Sequence, residues 1–413
     1  MSTDSRRVVV TGMGVLSCCG KTVEENWKNV LAGEPGYDTI TAFDASEYSS
    51  RVVGEVADFD PLEYIDRKEA KRMDRSSQLA MSASAEALRS LEGTDYNGND
   101  IGTVIASGIG GIRTFEKQHS NYVNKGPSKI SPFFIPMMIV DMSSGLVSIK
   151  YGLKGPNFAT VSACASAGHG IATSFMMIKQ GYAKAILTGG TEGTISPMAL
   201  GGFCSMKALS TRNDDPKGAS RPFDIDRDGF VMAEGAGLVL LEDLEYARAR
   251  GAEIYGELAG VGMTGDAHHI TSPAPGGAGA IESMRMALRD AGVEVDAIGY
   301  INAHGTSTQY NDRSEAEAIR TLFGETDGPH VSSTKSCSGH MLGAAAGFEF
   351  IMCINALLEQ KIPPTANLEN IDPECQLNHV PKKAIGKELE YVLSNSFGFG
   401  GHNVSLLLKK FEQ

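Results

Sequence analysis

The sequence predicts an α/β protein, on three observations. Short apolar runs that end in glycine alternate with helical patterns along the whole chain, which is how buried strands separated by helices read. Glycine is in excess, 48 of 413 residues, against a usual share of about 7%, with no collagen-like period. Such an excess demands many tight turns and close backbone approaches. At roughly 150 residues per domain, the length allows two or three units, each able to bury its own core.

Strands are expected at residues 8–11, 103–106, 185–188, 238–241, 254–259, 298–302, 391–395 and 404–408. Helix signals lie between them. Thr22 with Glu25 three residues on forms a capping box, and Gly33 closes that helix; Ser314 with Glu317, closed by Gly324, predicts a second helix of the same kind. The apolar stretch 341–358 contains Glu349 and Asn355, so it reads as a buried helix and not a bilayer span. Residues 210–228 and 271–279, rich in Gly and Pro, are loops that could cover a substrate. No internal repeat is visible by eye. A boundary near residue 250 would divide the chain into halves 1–250 and 251–413.

Composition removes several function classes. The chain is 42% hydrophobic and 21% charged, which fits an ordinary globular protein. Its net charge of −13 argues against bulk binding to nucleic acid or anionic membrane. Seven scattered cysteines (18, 19, 164, 204, 337, 353, 375) include no CxxC or Cys/His metal spacing, which suits a reducing cytosol. Residues 1–7 pass straight into the first apolar run without a leader-like stretch, so a cytoplasmic location is expected. The GMG at 12–14 and the GIGG at 108–111 lack the third glycine and acidic partner of a dinucleotide fingerprint, so neither supports NAD.

The residues that can carry chemistry are few. Cys164 opens a small-residue helical pattern, and a thiol at a helix N-terminus is expected to have a lowered pKa. His304, in NAHGTST (302–308), and His340, in KSCSGH (335–340), follow strand-like runs and sit among small residues that let a substrate approach. A neutral imidazole there can donate to a thioester oxygen. His169, within the Cys164 helix, reads as structural. Lys335 and Glu349 bracket His340, and a buried pair of this kind can orient that ring or tune its protonation. The glycines of NSFGFGG (395–401) free a backbone N–H to turn inward as an oxyanion-hole donor. The run 67–75 (RKEAKRMDR) carries a local charge of about +3 and reads as a docking patch for an acidic partner.

Taken together, Cys164, His304, Lys335, His340, Glu349 and Phe399 resemble the condensing-enzyme family of β-ketoacyl-acyl-carrier-protein synthases, and most closely its type II branch. The likeness runs nearly the whole length, through RVVVTG (7–12), SGIGG (107–111), KISPFF (129–134), ALSTR (208–212), NAHGTST (302–308) and SFGFGG (396–401). The resemblance implies a thiolase fold, two similar halves stacked as five αβαβα layers, and a homodimer acting on acyl groups carried by acyl carrier protein. It implies Cys164 as the acylated nucleophile, His304 and His340 as the other catalytic members, and Lys335 and Glu349 as their supports. Phe399 would supply an oxyanion-hole amide and gate the acyl pocket. Thr306 and Thr308 would line the pantetheine tunnel, while Phe230, Thr271 and Phe397 would contact substrate. Ile109, with Phe134 of the partner subunit, would limit pocket depth. Arg67, Lys68, Lys71, Arg72, Lys129 and Lys207 would dock the carrier protein.

No catalytic cofactor or metal is implied, although some members hold a structural monovalent cation near the residues matching Asn302, Glu349, Ser394 and Asn395. His402 departs from the expected pattern, where a Thr often follows the Gly-Gly. The expected reaction elongates an acyl chain by two carbons in fatty-acid synthesis. A type I or polyketide synthase, a coenzyme A thiolase, a Cys–His hydrolase and a non-catalytic partner subunit remain as alternatives at this point.

Overall fold

The computed structural model describes residues 6–412; residues 1–5, part of the segment read above for the lack of a leader, lie outside them. All eight expected strands form, most of them extended by a few residues. The first half of the chain holds β1 (Val8–Leu16), β2 (Ile101–Ala106), β3 (Asn157–Phe158), β4 (Ala185–Glu192) and β5 (Gly235–Asp243). The second holds β6 (Gly256–Gly265), β7 (Ile298–Asn302), β8 (His330–Ser332), β9 (Tyr391–Gly398) and β10 (His402–Lys409). Two of these, β3 and β8, are short edge strands outside the eight expected ranges.

The two sets repeat one topology. In the first, β2 runs parallel to β3 and β4, β4 is antiparallel to β5, and β5 is antiparallel to β1. In the second, β7 runs parallel to β8 and β9, β9 is antiparallel to β10, and β10 is antiparallel to β6. The sets join where Val8, Val9 and Val10 pair with Leu258, Glu257 and Gly256, which makes one ten-stranded sheet. The repeat missed by eye is therefore present in the architecture.

Helices complete the layers. The helices α1 (Arg75–Ala87) and α2 (Met142–Tyr151) cover the outer face of the first set, and α4 (Ala278–Ala291) and α5 (Gln309–Phe323) belong to the outer layer of the second. Between the two sets lie α3 (Ser166–Gln180) and α6 (Ala345–Glu359), each touching strands of both. The result is five alternating layers.

Strand alternation follows this plan. On β2, β4 and β5, Ile105, Leu187 and Leu240 join the outer core, whereas Val104, Ile186 and Leu241 join the central core with Phe175 and Phe348. Packing also explains the discounted GMG at 12–14. A side chain at Gly12 or Gly14 would collide with Ala87 or Ala83 carbonyls of α1, and Gly260 and Gly262 meet Ala287 and Ser283 of α4 in the same way.

Three local expectations are settled by the backbone. Thr22 caps the helix Val23–Ala32 and Gly33 ends it in the left-handed region, but Glu25 returns to Lys21 N–H, not to the cap residue. Ser314 caps nothing, because α5 begins five residues earlier after the extended Thr308. A Ser/Glu pair three apart also occurs inside an exposed helix, so the spacing alone misplaced that start. Among the described residues, Leu342–Glu359 is long and apolar enough to cross a membrane, yet 83% of it is buried within the protein. It is the core helix read from sequence.

Candidate active site

The loops at one end of both strand sets converge on a cleft of about 570 Å³. Its lining includes Ile109, Cys164, His304, Thr306, Thr308, His340, Phe399, Phe230, Thr271, Phe397 and Lys207. Cys164 Sγ and one ring nitrogen of each histidine lie within 4.8 Å of one another.

Cys164 reaches this point from a strained turn. Ala163 sits at φ 51°, a left-handed conformation unusual for a residue with a side chain. The turn places Cys164 two residues before α3, with its own N–H and that of Phe399 directed at the sulfur. The expected lowered pKa is not found. Burial pushes the thiol up to about 12, with Glu192 adding to the rise and Lys335 and the two amides opposing it. Desolvation outweighs the helix end because the sulfur lies inside a largely apolar wall.

The histidine protons are fixed by their neighbours. Lys335 Nζ donates to His304 O at 2.6 Å, lies 3.3 Å from His304 Nδ1, and is paired with Glu349. An ammonium only donates, so His304 Nδ1 accepts and the ring carries its hydrogen on Nε2. Leu342 N–H donates to His340 Nδ1 at 3.3 Å, which sets the same tautomer there. His340 Nε2 is buried with no partner, a donor without an acceptor. Burial and the Lys335 charge hold both rings well below the usual imidazole range, so both are neutral donors. The ring that Lys335 touches is His304, not the His340 expected from sequence proximity.

Phe230 and Phe397 pack edge-on against the two rings, at 5.3 Å from His340 and 5.9 Å from His304. Thr306 and Thr308 share a hydroxyl contact of 2.9 Å at the cleft wall. Cys164, His304 and His340 have the spacing of a metal ligand set, but the Lys335 ammonium beside His304 opposes a cation.

The cation pocket fits in part. Glu349 Oε2 is buried without a partner, and Asn302 and Ser394 both reach the Cys353 thiol beside it. Asn395 turns its side chain away, accepting Ser405 Oγ at 2.9 Å.

Other expected residues are elsewhere. Phe134 packs on Phe115 at 6.4 Å and does not line the cleft of its own chain. Arg67 and Lys71 line a separate groove, with Lys68 and Lys129 exposed. Arg72 stacks on Phe133 at 4.3 Å, and Lys207 alone of the basic set lies at the cleft. His169 meets Ser162 Oγ at 2.7 Å and packs near His402, which is consistent with a structural role.

Sequence reading missed four buried acids and an arginine. Glu315 accepts from His304 N at 2.8 Å and Gly305 N at 2.7 Å, holding the turn that carries the ring. Arg227, fully buried, pairs with Asp372 at 2.9 Å and Asp312 at 3.5 Å and pins residues 210–228 under Thr308. Glu192 ends β4 behind the Ile109 loop, accepting from Gly108 N at 2.8 Å. The available signal for Glu192 was an acid ending an otherwise apolar strand run, and for Glu315 an acid on the buried side of a helix.

Comparison with known proteins places this geometry among relatives. Residues 5–247 match the beta-ketoacyl synthase N-terminal domain and residues 255–369 its C-terminal domain. The chain is 50% identical over 412 residues to the 3-oxoacyl-[acyl-carrier-protein] synthase 2 of Synechocystis, covering 99% of each chain. It is 49% identical over 414 residues to the protein of that description from Staphylococcus aureus, covering 99% of this chain and 100% of that one. A beta-ketoacyl synthase structure from Burkholderia phymatum superposes with a TM-score of 0.93 at 34% identity, covering 99% and 100% of the two chains. A type II polyketide ketosynthase solved with its acyl-carrier protein superposes at 0.91 and 30% identity, covering 98% and 100%.

Proposed function

The chain belongs to the β-ketoacyl synthase family, and from that premise we propose how its residues divide the reaction. The activity is that of a 3-oxoacyl-[acyl-carrier-protein] synthase, an acyltransferase that joins a carrier-bound acyl group to malonyl-carrier protein by decarboxylative condensation. The single observation that carries the residue assignment is the meeting of Cys164 Sγ with two neutral histidines within 4.8 Å.

In the first stage the Cys164 sulfur attacks the acyl thioester, and its proton leaves with the carrier's pantetheine thiol. One thioester replaces another, so the protein chiefly supplies the nucleophile and the Cys164 and Phe399 amides for the oxyanion. In the second stage malonyl thioester loses carbon dioxide, and its electron pair becomes an enolate. His304 Nε2–H and His340 Nε2–H donate to that oxygen, and no proton has to move while charge develops. The enolate carbon then attacks the Cys164 thioester and its carbon–sulfur bond breaks, so Cys164 leaves as a thiolate that takes a proton from water, and the carrier keeps a 3-oxoacyl chain two carbons longer.

Thr306 and Thr308 line the approach, Phe230, Thr271 and Phe397 enclose the substrate, and Ile109 limits the acyl pocket. A homodimer in which Phe134 of one protomer faces the other's site is supported by the exposed apolar Phe133, Ile135 and Ile139 beside it. Arg67, Lys68, Lys71, Arg72 and Lys129, with Lys207 at the cleft mouth, form the docking surface for the acidic carrier in the cytoplasm. A monovalent cation held by Glu349, Asn302 and Ser394 would balance the second carboxylate oxygen of Glu349.

Incubation with acyl-carrier protein followed by peptide mass spectrometry tests this reading. An acyl adduct on the Cys164 peptide that malonyl-carrier protein converts to a 3-oxoacyl product is the expected result. Release as free acid would mean a hydrolase, and absence of any adduct a non-catalytic subunit.

A further inference from the structure

Glu192 belongs to none of the roles above, yet it lies behind the cleft wall, bonded to a loop of each half that lines it. Its side chain is fully buried at the end of β4. Oε1 accepts from Ser107 Oγ at 2.8 Å and from Ile109 N at 3.4 Å, and Oε2 accepts from Gly108 N at 2.8 Å and Gly343 N at 2.9 Å. Three of these donors belong to the loop that carries Ile109, and the fourth lies three residues after His340.

The backbone is built around this carboxylate. A side chain at Gly343 would collide with Gly108 N, and one at Gly108 would come within 2.9 Å of Glu192 Oε2, so the two segments touch main chain to main chain. Leu342, between them and His340, is held at φ 47°. That strained conformation sends two consecutive amides to different acceptors, Leu342 N–H to His340 Nδ1 and Gly343 N–H to Glu192. Ser107 Oγ extends the network by accepting from Gly110 N at 3.0 Å.

We propose that Glu192 is a positioning residue that ties the Ile109 loop of the acyl pocket to the peptide fixing the His340 tautomer, so that chain-length selection and enolate stabilisation share one carboxylate. The proposal rests on the ketosynthase reading and deepens it. Glu192 touches neither the reacting carbon nor the thioester; it acts through Leu342 and Ile109. Four converging donors explain why an acid is kept in a wall where it raises the neighbouring thiol's pKa, a cost that a glutamine would avoid.

The test compares wild type, E192Q and S107A in three measurements on the full chain: acylation of Cys164 by intact mass, decarboxylation of malonyl-carrier protein, and relative rates with short and long acyl primers. A glutamine amide must turn an N–H toward at least one of these backbone N–H groups. We expect E192Q to lose decarboxylation about 10–100-fold more than acylation, the scale of a lost second-layer hydrogen bond. The short-to-long primer ratio should shift at least about fivefold in both variants, with E192D returning decarboxylation toward wild type. A merely structural role would lower all rates together and leave the primer ratio unchanged, and that outcome overturns the proposal. If E192Q does not fold, S107A decides by the primer ratio alone. Wild type failing to give a 3-oxoacyl product would instead overturn the ketosynthase reading.

Discussion

The two strand sets present topologically equivalent loops to the cleft, and they fill them with different chemistry. The loop after β2 carries Ile109, and its counterpart after β7 carries His304. The connection before α3 carries Cys164, and the one before α6 carries Lys335 and His340. The end of β4 carries Glu192, and the end of β9 leads to Phe399. The connections differ in exposure as well. Residues 333–345 are buried throughout, whereas residues 157–164 are half-exposed or exposed. On the proposed roles, the first half offers its nucleophile where a tethered acyl group can reach it, and the second keeps its donors dry, where hydrogen bonds to a developing oxyanion are strongest.

Substitutions can break that division of labour. Cys164→Ala should abolish the acyl-enzyme adduct entirely while the fold survives; full condensation by this variant would sink the assignment. His304→Ala or His340→Ala should still acylate Cys164 but lose malonyl decarboxylation by at least about 100-fold in a carbon dioxide release assay. Lys335→Ala should strand Glu349 in the interior and cost about 3–5 kcal/mol in chemical denaturation, as expected when one member of a buried pair is removed.

A pH series sharpens the comparison further. With the thiol pushed up to about 12, alkylation of Cys164 in the free enzyme should rise about tenfold per pH unit up to pH 9 without a plateau. A plateau below pH 8 would show that the helix end prevails over burial. Both histidines are held below 6.5, so decarboxylation by the acylated enzyme should lose its neutral donors only well below pH 6.5. The smallest contrast is between caps: Thr22→Ala should cost about 1 kcal/mol of stability, and Ser314→Ala, inside α5, about a few tenths or less.

Much of this was legible in the sequence, because strands buried on both faces read as apolar runs and because the cleft motifs are short and local. Cys164, both histidines and the Lys335–Glu349 pair stand in short motifs, so they could be singled out as candidates without long-range information, and the structure brings them together. The thiol's pKa did, since burial is a property of the assembled wall. Which ring Lys335 touches, and what Glu192 and Glu315 hold, depended on chain segments far apart in sequence. The internal repeat left only a faint trace, GMG at 12–14 against GVG at 260–262, because only the glycines that admit a helix were kept alike.

The seam between the sets has a consequence for synthesis. Arg7 is paired with Glu257, 250 residues later, and among the described residues β1 pairs with β5 and β6. At about 5–20 residues per second, β1 waits about ten to fifty seconds for them after leaving the ribosome. Its VVV run is apolar and able to pair with other edges throughout that interval. Yield in a cell should therefore respond to chaperone supply more sharply than the finished protein's stability would suggest.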